Sequence, residues 1–162
     1  MLAEISLRTA SLRVLFENAV FLSSFTSLCV AQLLKGLVYI LSGRMRRTGE
    51  LVEMIAWRTG GMPSSHAAVV CSLCASIAFA EGVTSNLFIL SAWFALVVLR
   101  DAVGVRRAAG LSARSLNALG RSASEKLGVD FAAVKEVQGH TPLEVVVGGL
   151  LGVFIAAGLS LP

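Results

Sequence analysis

Charge is scarce in this chain. Asp, Glu, Lys and Arg make up 15% of its 162 residues and hydrophobic residues 56%, with a mean hydropathy of +0.78. That balance excludes an ordinary soluble domain and predicts an integral membrane protein. Cysteine is also sparse. Cys29, Cys71 and Cys74 all lie inside apolar runs. The Cys71-x-x-Cys74 pair has no second Cys or His pair nearby, so it reads as small side chains packing between helices rather than a metal or redox centre. No carboxylate cluster suits Mg²⁺, and neither metal nor cofactor is expected. Nothing resembles a nucleic-acid-binding motif, so the formal charge of +4 is read by its distribution along the chain. There is no internal repeat and no low-complexity tract. The first residues lack a signal-peptide pattern, because Glu17 and Asn18 interrupt the apolar stretch.

What remains is apolar helix. The length fits one domain, residues 1–162, and the pattern predicts an all-α polytopic bundle. Residues 1–18 mix charge and apolar groups at helical spacing, as an interfacial lead-in does. Four spanning stretches follow: Ala19–Leu41, His66–Ala80, Leu87–Val105 and Leu143–Leu161. The uninterrupted apolar parts of the second and third fall short of the roughly 20 residues usually needed to span. Such helices tilt, extend through inward-facing polar residues, or sit in locally thin bilayer. Ala113–Leu127 interleaves Leu116, Leu119 and Ala123 with Arg114, Arg121 and Lys126, which predicts a helix lying on the membrane surface. Gly148, Gly149, Gly152 and Gly158 prepare the last span for close helix contact.

Four crossings fix the sidedness. Residues 42–65 and 105–140 fall on one side with ten Lys and Arg, against Arg8 and Arg13 on the other. The positive-inside rule makes the basic side cytoplasmic and the N-terminus external. The polar groups around Lys35, His66, Arg106 and His140 then all meet at one membrane face.

Three stretches carry chemistry. In Gly60-Gly61-Met62-Pro63-Ser64-Ser65-His66 the glycines let backbone approach a ligand, and Pro63 fixes φ. Ser64 or Ser65 caps the following helix, whose free N–H groups favour phosphate, and His66 can donate a proton to a departing oxygen. The plainer reading is a loop and a cap, with His66 interfacial. Lys35 either snorkels to the headgroups or points inward as a fixed cation. Arg106 and Arg107 are either juxtamembrane anchors or anion ligands. Asp101 needs a partner at its depth, with Arg100, Arg106 and Lys35 as candidates, and is expected to orient a cation. In His140-Thr141-Pro142-Leu143-Glu144, Thr141 and Glu144 form a capping box with Pro142 in the first turn. Glu144 can also accept from one ring nitrogen of His140, which fixes the tautomer and makes the other nitrogen an oriented nucleophile.

With these motifs assembled, Pro63-Ser64-Ser65-His66 and His140-x-x-x-Glu144 resemble the type-2 phosphatidic acid phosphatase superfamily. Together with the string Asp101 to Gly110 and the glycine-containing last helix, they are similar to its small divergent bacterial and plant branch, over roughly residues 15–160. The resemblance implies that Lys35 and one of Arg106 or Arg107 hold a phosphate contacted by Ser64. It also implies that His66 protonates the leaving group and that His140 attacks phosphorus to form a phosphohistidine. Ser65 stands where the superfamily has glycine, and Glu144 where it has aspartate. Val134 occupies the place of its last arginine, and Arg58 matches its first motif only loosely. The expected activity is metal-independent hydrolysis of a phosphomonoester or pyrophosphate, on a lipid or isoprenoid, in a bacterial inner membrane. The alternative is a catalytically silent member that binds anionic lipid headgroups or serves as a membrane assembly factor. A transporter fits less well, because the polar residues gather at one face rather than along a path. The oligomeric state, a homo-oligomer included, is left open.

Overall fold

The structure is a computed structural model that describes residues 14–43, 61–136 and 139–160. The lead-in before residue 14 and the basic stretch at 44–60, with Arg58, lie outside the described residues. Among those described, the chain is helical without strands. The helices are α1 (Ala19–Leu41), α2 (Ser65–Glu81), α3 (Asn86–Val103), α4 (Val105–Leu127) and α5 (Pro142–Ser160). The α1 helix, the α3 stretch and α5 are long and apolar enough to cross a membrane. The α2 helix is shorter, at 17 residues, and packs against α1, α3 and α5 at the centre of the bundle. Four crossings agree with this arrangement.

Caps set the boundaries. Asn18 accepts from the backbone N–H of Val20 and Phe21 at the start of α1. Ser64 accepts from Ala67 ahead of α2, and Ser85 from Phe88 ahead of α3. Each satisfies donors that a helix start otherwise leaves open.

The interior is inverted relative to a soluble protein. Its fully buried residues are small: Ala31, Ala68, Ala156, Ser23, Ser27, Ser64 and Ser72. Phe154, Trp93 and Leu90 face outward. Lipid is as apolar as leucine, so association rests on close backbone approach. That approach is visible where α2 and α5 run side by side from the same end. A Cβ on Gly148 would collide with the backbone of Ser64, and one on Gly152 with that of Ala68. Cys71 packs over Gly149 in the same seam, the packing role expected of it.

The surface helix begins earlier than expected, at Val105 rather than Ala113. Only Gly104 separates it from α3. Alanine and arginine are good helix formers, and the 106–110 run is helical as well. Only Gly110 and Asn117 of α4 are buried, while Leu116 and Leu119 stay exposed.

Candidate functional site

Four helix ends converge at one end of the bundle. The C-terminal turns of α1 and α3 arrive there, and α2 and α5 begin there. A small core of Ala67, Ala102 and Val145, one residue from each of α2, α3 and α5, packs beneath. Each of the three is the sequence neighbour of a polar group: His66, Asp101 and Glu144. Packing three apolar residues therefore gathers three ionisable ones.

The segment entering α5 is fixed from several directions. The His140 N–H donates to the Ala102 carbonyl at 3.2 Å, and the Ser64 N–H donates to the Glu144 carbonyl at 3.0 Å. The Glu144 carboxylate accepts from the Thr141 N–H at 3.0 Å, and the Thr141 hydroxyl accepts from the Glu144 N–H at 3.4 Å. That is a complete capping box. The same carboxylate oxygen lies 3.1 Å from His140 Nδ1, so capping and imidazole orientation coexist. A carboxylate only accepts, which places the proton on Nδ1 and leaves the Nε2 lone pair free.

His140 is 3% exposed, whereas His66 is exposed. Their ring centroids stand 6.5 Å apart, with the planes at 64°. Burial lowers the His140 pKa below its ordinary 6.5; Glu144 pulls it back up, and the charges of Lys35 and Arg106 push it down. Lys35 is 3% exposed and lies within electrostatic reach of Glu144 and both histidines. It points inward, and Gly61 sits on its stem. With φ at +90°, Gly61 adopts a backbone conformation that other residues rarely take, and a Cβ there would touch Lys35 Cγ at 3.6 Å.

The structure separates the two arginines. Arg106 Nε donates to Asp101 at 2.6 Å, and its charge acts on both histidines. Arg107 is exposed, and its backbone is the surface on which Gly139 rests. Of the candidate partners for Asp101, Arg106 is the one it holds. Ser64 is fully buried with its hydroxyl at the α2 cap, and Ser65 is buried in the first turn.

Sequence reasoning missed the means by which His140 reaches this place. After α4 the chain turns back along that helix. The Phe131 ring occupies the space that a Cβ on Gly120 would fill. Asn117, 3% exposed, grips Val134 by both backbone groups, donating to its carbonyl at 2.9 Å and accepting from its N–H at 2.8 Å. Asn117 also donates to Glu136 at 2.9 Å, and Arg114 donates to the other Glu136 oxygen at 3.2 Å. Gly139 then lies so close to Arg107 that any Cβ would strike its backbone. The available signal was an asparagine, a poor helix former, in the middle of an amphipathic helix.

The chain is 37% identical over 157 residues to the uncharacterized membrane protein YuiD of Bacillus subtilis (strain 168), covering 90% of this chain and 96% of that one. No solved structure matches it. A model of the divergent PAP2 family matches residues 16–155, a span that takes in α1, the histidine pair and most of α5. The chain belongs to the divergent PAP2 family.

Proposed function

We propose that this protein is a membrane phosphatase that hydrolyses a phosphomonoester or pyrophosphate of a lipid or isoprenoid through a phosphohistidine on His140. The observation that carries this reading is the spacing of the two imidazoles, 6.5 Å between centroids. An attacking nitrogen must approach phosphorus to roughly 3 Å, and a general acid must stand about 3 Å from the leaving oxygen on the far side. At this separation the rings stand within the edge-contact range of a ring pair, so His66, the exposed ring, turns aside to admit the phosphoryl group. Two rings much further apart could not both touch it.

In this scheme His140 Nε2 forms a bond to phosphorus as the bond to the leaving oxygen breaks. His66 gives its proton to that oxygen. Water then attacks the phosphohistidine and returns a proton to His66, releasing phosphate and free His140. Glu144 stabilises the positive charge that grows on His140. Lys35 and Arg106, the latter aimed by Asp101, neutralise the phosphoryl oxygens as their charge builds. Ser64 and Ser65 contribute the α2 N-terminus, where backbone N–H groups favour the anion. The ten cationic residues on this side favour a site facing the cytoplasm.

The test is phosphate release from phosphatidate and isoprenyl diphosphates by purified protein, with His140→Ala and His66→Ala alongside. The reading predicts release that both substitutions abolish. Equal release from all three proteins would overturn it, and lipid retention without release would favour the headgroup-binding alternative.

A further inference from the structure

The α1 and α3 helices both pack on α2, yet among the described residues they do not meet each other. The α2 face between them is therefore the floor of a groove with two helical walls. Toward the end remote from the histidines it widens into a cavity of about 530 Å³, within the range of small-ligand sites. Val20 comes from α1, Leu73 and Ile77 from α2, and Leu87, Leu90 and Phe94 from α3. Ser91 also lines it, but returns its hydroxyl to the Phe88 carbonyl. The polar side chains Asn18 and Glu81 come from the far ends of α1 and α2.

Helical periodicity ties this cavity to the site. Leu73 and Ile77 follow His66 by seven and eleven positions, about two and three turns, so all three share one face of α2. On α3, Leu87, Phe94 and Asp101 repeat every seven positions and share a face in the same way. The strip that begins at His66 and Asp101 is thus the strip that ends in the cavity. His66 is also the exposed member of the histidine pair, and it would meet the leaving oxygen. Whatever hydrocarbon that oxygen carries starts at the head of this strip.

We propose that the α1–α3 groove seats the hydrocarbon tail of a long-chain phosphate ester, with the tail running along α2 from His66 toward Ile77. This inference rests on the phosphatase reading and narrows its substrate class. From residue 66 to residue 77 the helix rises about 16 Å, so a short-chain ester would leave the cavity unused.

The experiment fills the cavity from its rim. Val20→Trp and Leu87→Trp act from opposite walls, and Leu150→Trp, on the exposed face of α5, controls for a tryptophan at the lipid surface. Kinetics are measured on long-chain and short-chain alkyl phosphates. The expected result is a KM for the long-chain ester raised about tenfold or more, the effect of losing roughly two buried methylenes. Short-chain hydrolysis and the control stay unchanged. Unchanged long-chain KM in both rim variants would overturn the groove and leave the phosphatase reading intact. A second measurement does not depend on turnover: a photoreactive long-chain alkyl phosphate is crosslinked to His140→Ala protein and mapped by mass spectrometry. Labels concentrated on Leu73, Ile77 and Phe94 are expected. Labels spread evenly over the lipid-facing residues would contradict the proposal. Loss of hydrolysis on every ester, with labels still in the groove, would sink the phosphatase reading alone.

Discussion

The rings of His66 and His140 meet at an edge with centroids 6.5 Å apart, and their surroundings differ in a way that fits the different work proposed for them. His140 is buried and bonded to Glu144; His66 is open to the outside. A nucleophile benefits from fixed orientation and exclusion of water, whereas an acid that protonates a leaving group must stand where that group departs.

Glu144→Gln tests the orientation. The substitution preserves size but lets an amide N–H face Nδ1, so the productive tautomer is lost and kcat falls between roughly 10² and 10⁴-fold. The pH profile gives a second readout. The His140 pKa is held below 6.5 by burial, with Glu144 opposing that shift. The acid limb of kcat/KM is therefore expected below pH 6.5. Removing the carboxylate removes the raising influence, so the limb moves to still lower pH in the variant. A limb that moves upward would contradict the assignment.

Arg106→Gln and Arg107→Gln separate two neighbours that sequence alone left equivalent. Arg106 is held by Asp101 and acts on both histidines, whereas the Arg107 side chain is exposed. The first substitution should raise KM and lower kcat, by roughly 10²-fold or more in kcat/KM as a transition-state charge contact is lost. The second should stay within about threefold of wild type. Steady-state kinetics on one substrate decides between them.

Asn117→Ala tests the arm behind His140. It removes bonds to Val134 and Glu136, at about 1–3 kcal/mol of local stability. Hydrogen exchange should quicken over residues 128–136 with the bundle unaffected, and kcat should fall more than KM changes. Asn117→Asp should do no better, since it loses the donor and sets a second carboxylate against Glu136. Unchanged exchange over the arm would show that Asn117 does not hold it.

Two glycines on α5 make opposite predictions. Gly152→Ala drives a Cβ into Ala68 backbone and should destabilise the bundle by about 2 kcal/mol or more. Gly158 has nothing near its missing Cβ, so Gly158→Ala should be neutral or stabilise by up to about 1 kcal/mol. Thermal unfolding in detergent measures both.

Much of this architecture was legible in the residues, for identifiable reasons. Apolar runs located the four apolar helices, and the capping residues at Ser64 and Thr141 located two helix starts within a residue. Lys35, His66, Arg106 and His140 were expected at one face because alternating crossings leave no other place for them. What escaped was tertiary. A Cβ-free contact such as Gly139 on Arg107, or the grip of Asn117 on Val134, joins positions far apart in the chain and follows no local period. The choice of Arg106 over Arg107 likewise depended on the break at Gly104, where the turn into α4 sets which arginine faces Asp101.

The most direct test of the central claim is rapid acid-free quenching of turnover with phosphoryl-labelled substrate, followed by peptide mapping. The account predicts a base-stable, acid-labile phosphoryl group on His140, absent from His140→Ala. Full turnover with no label on His140 at any time would contradict it.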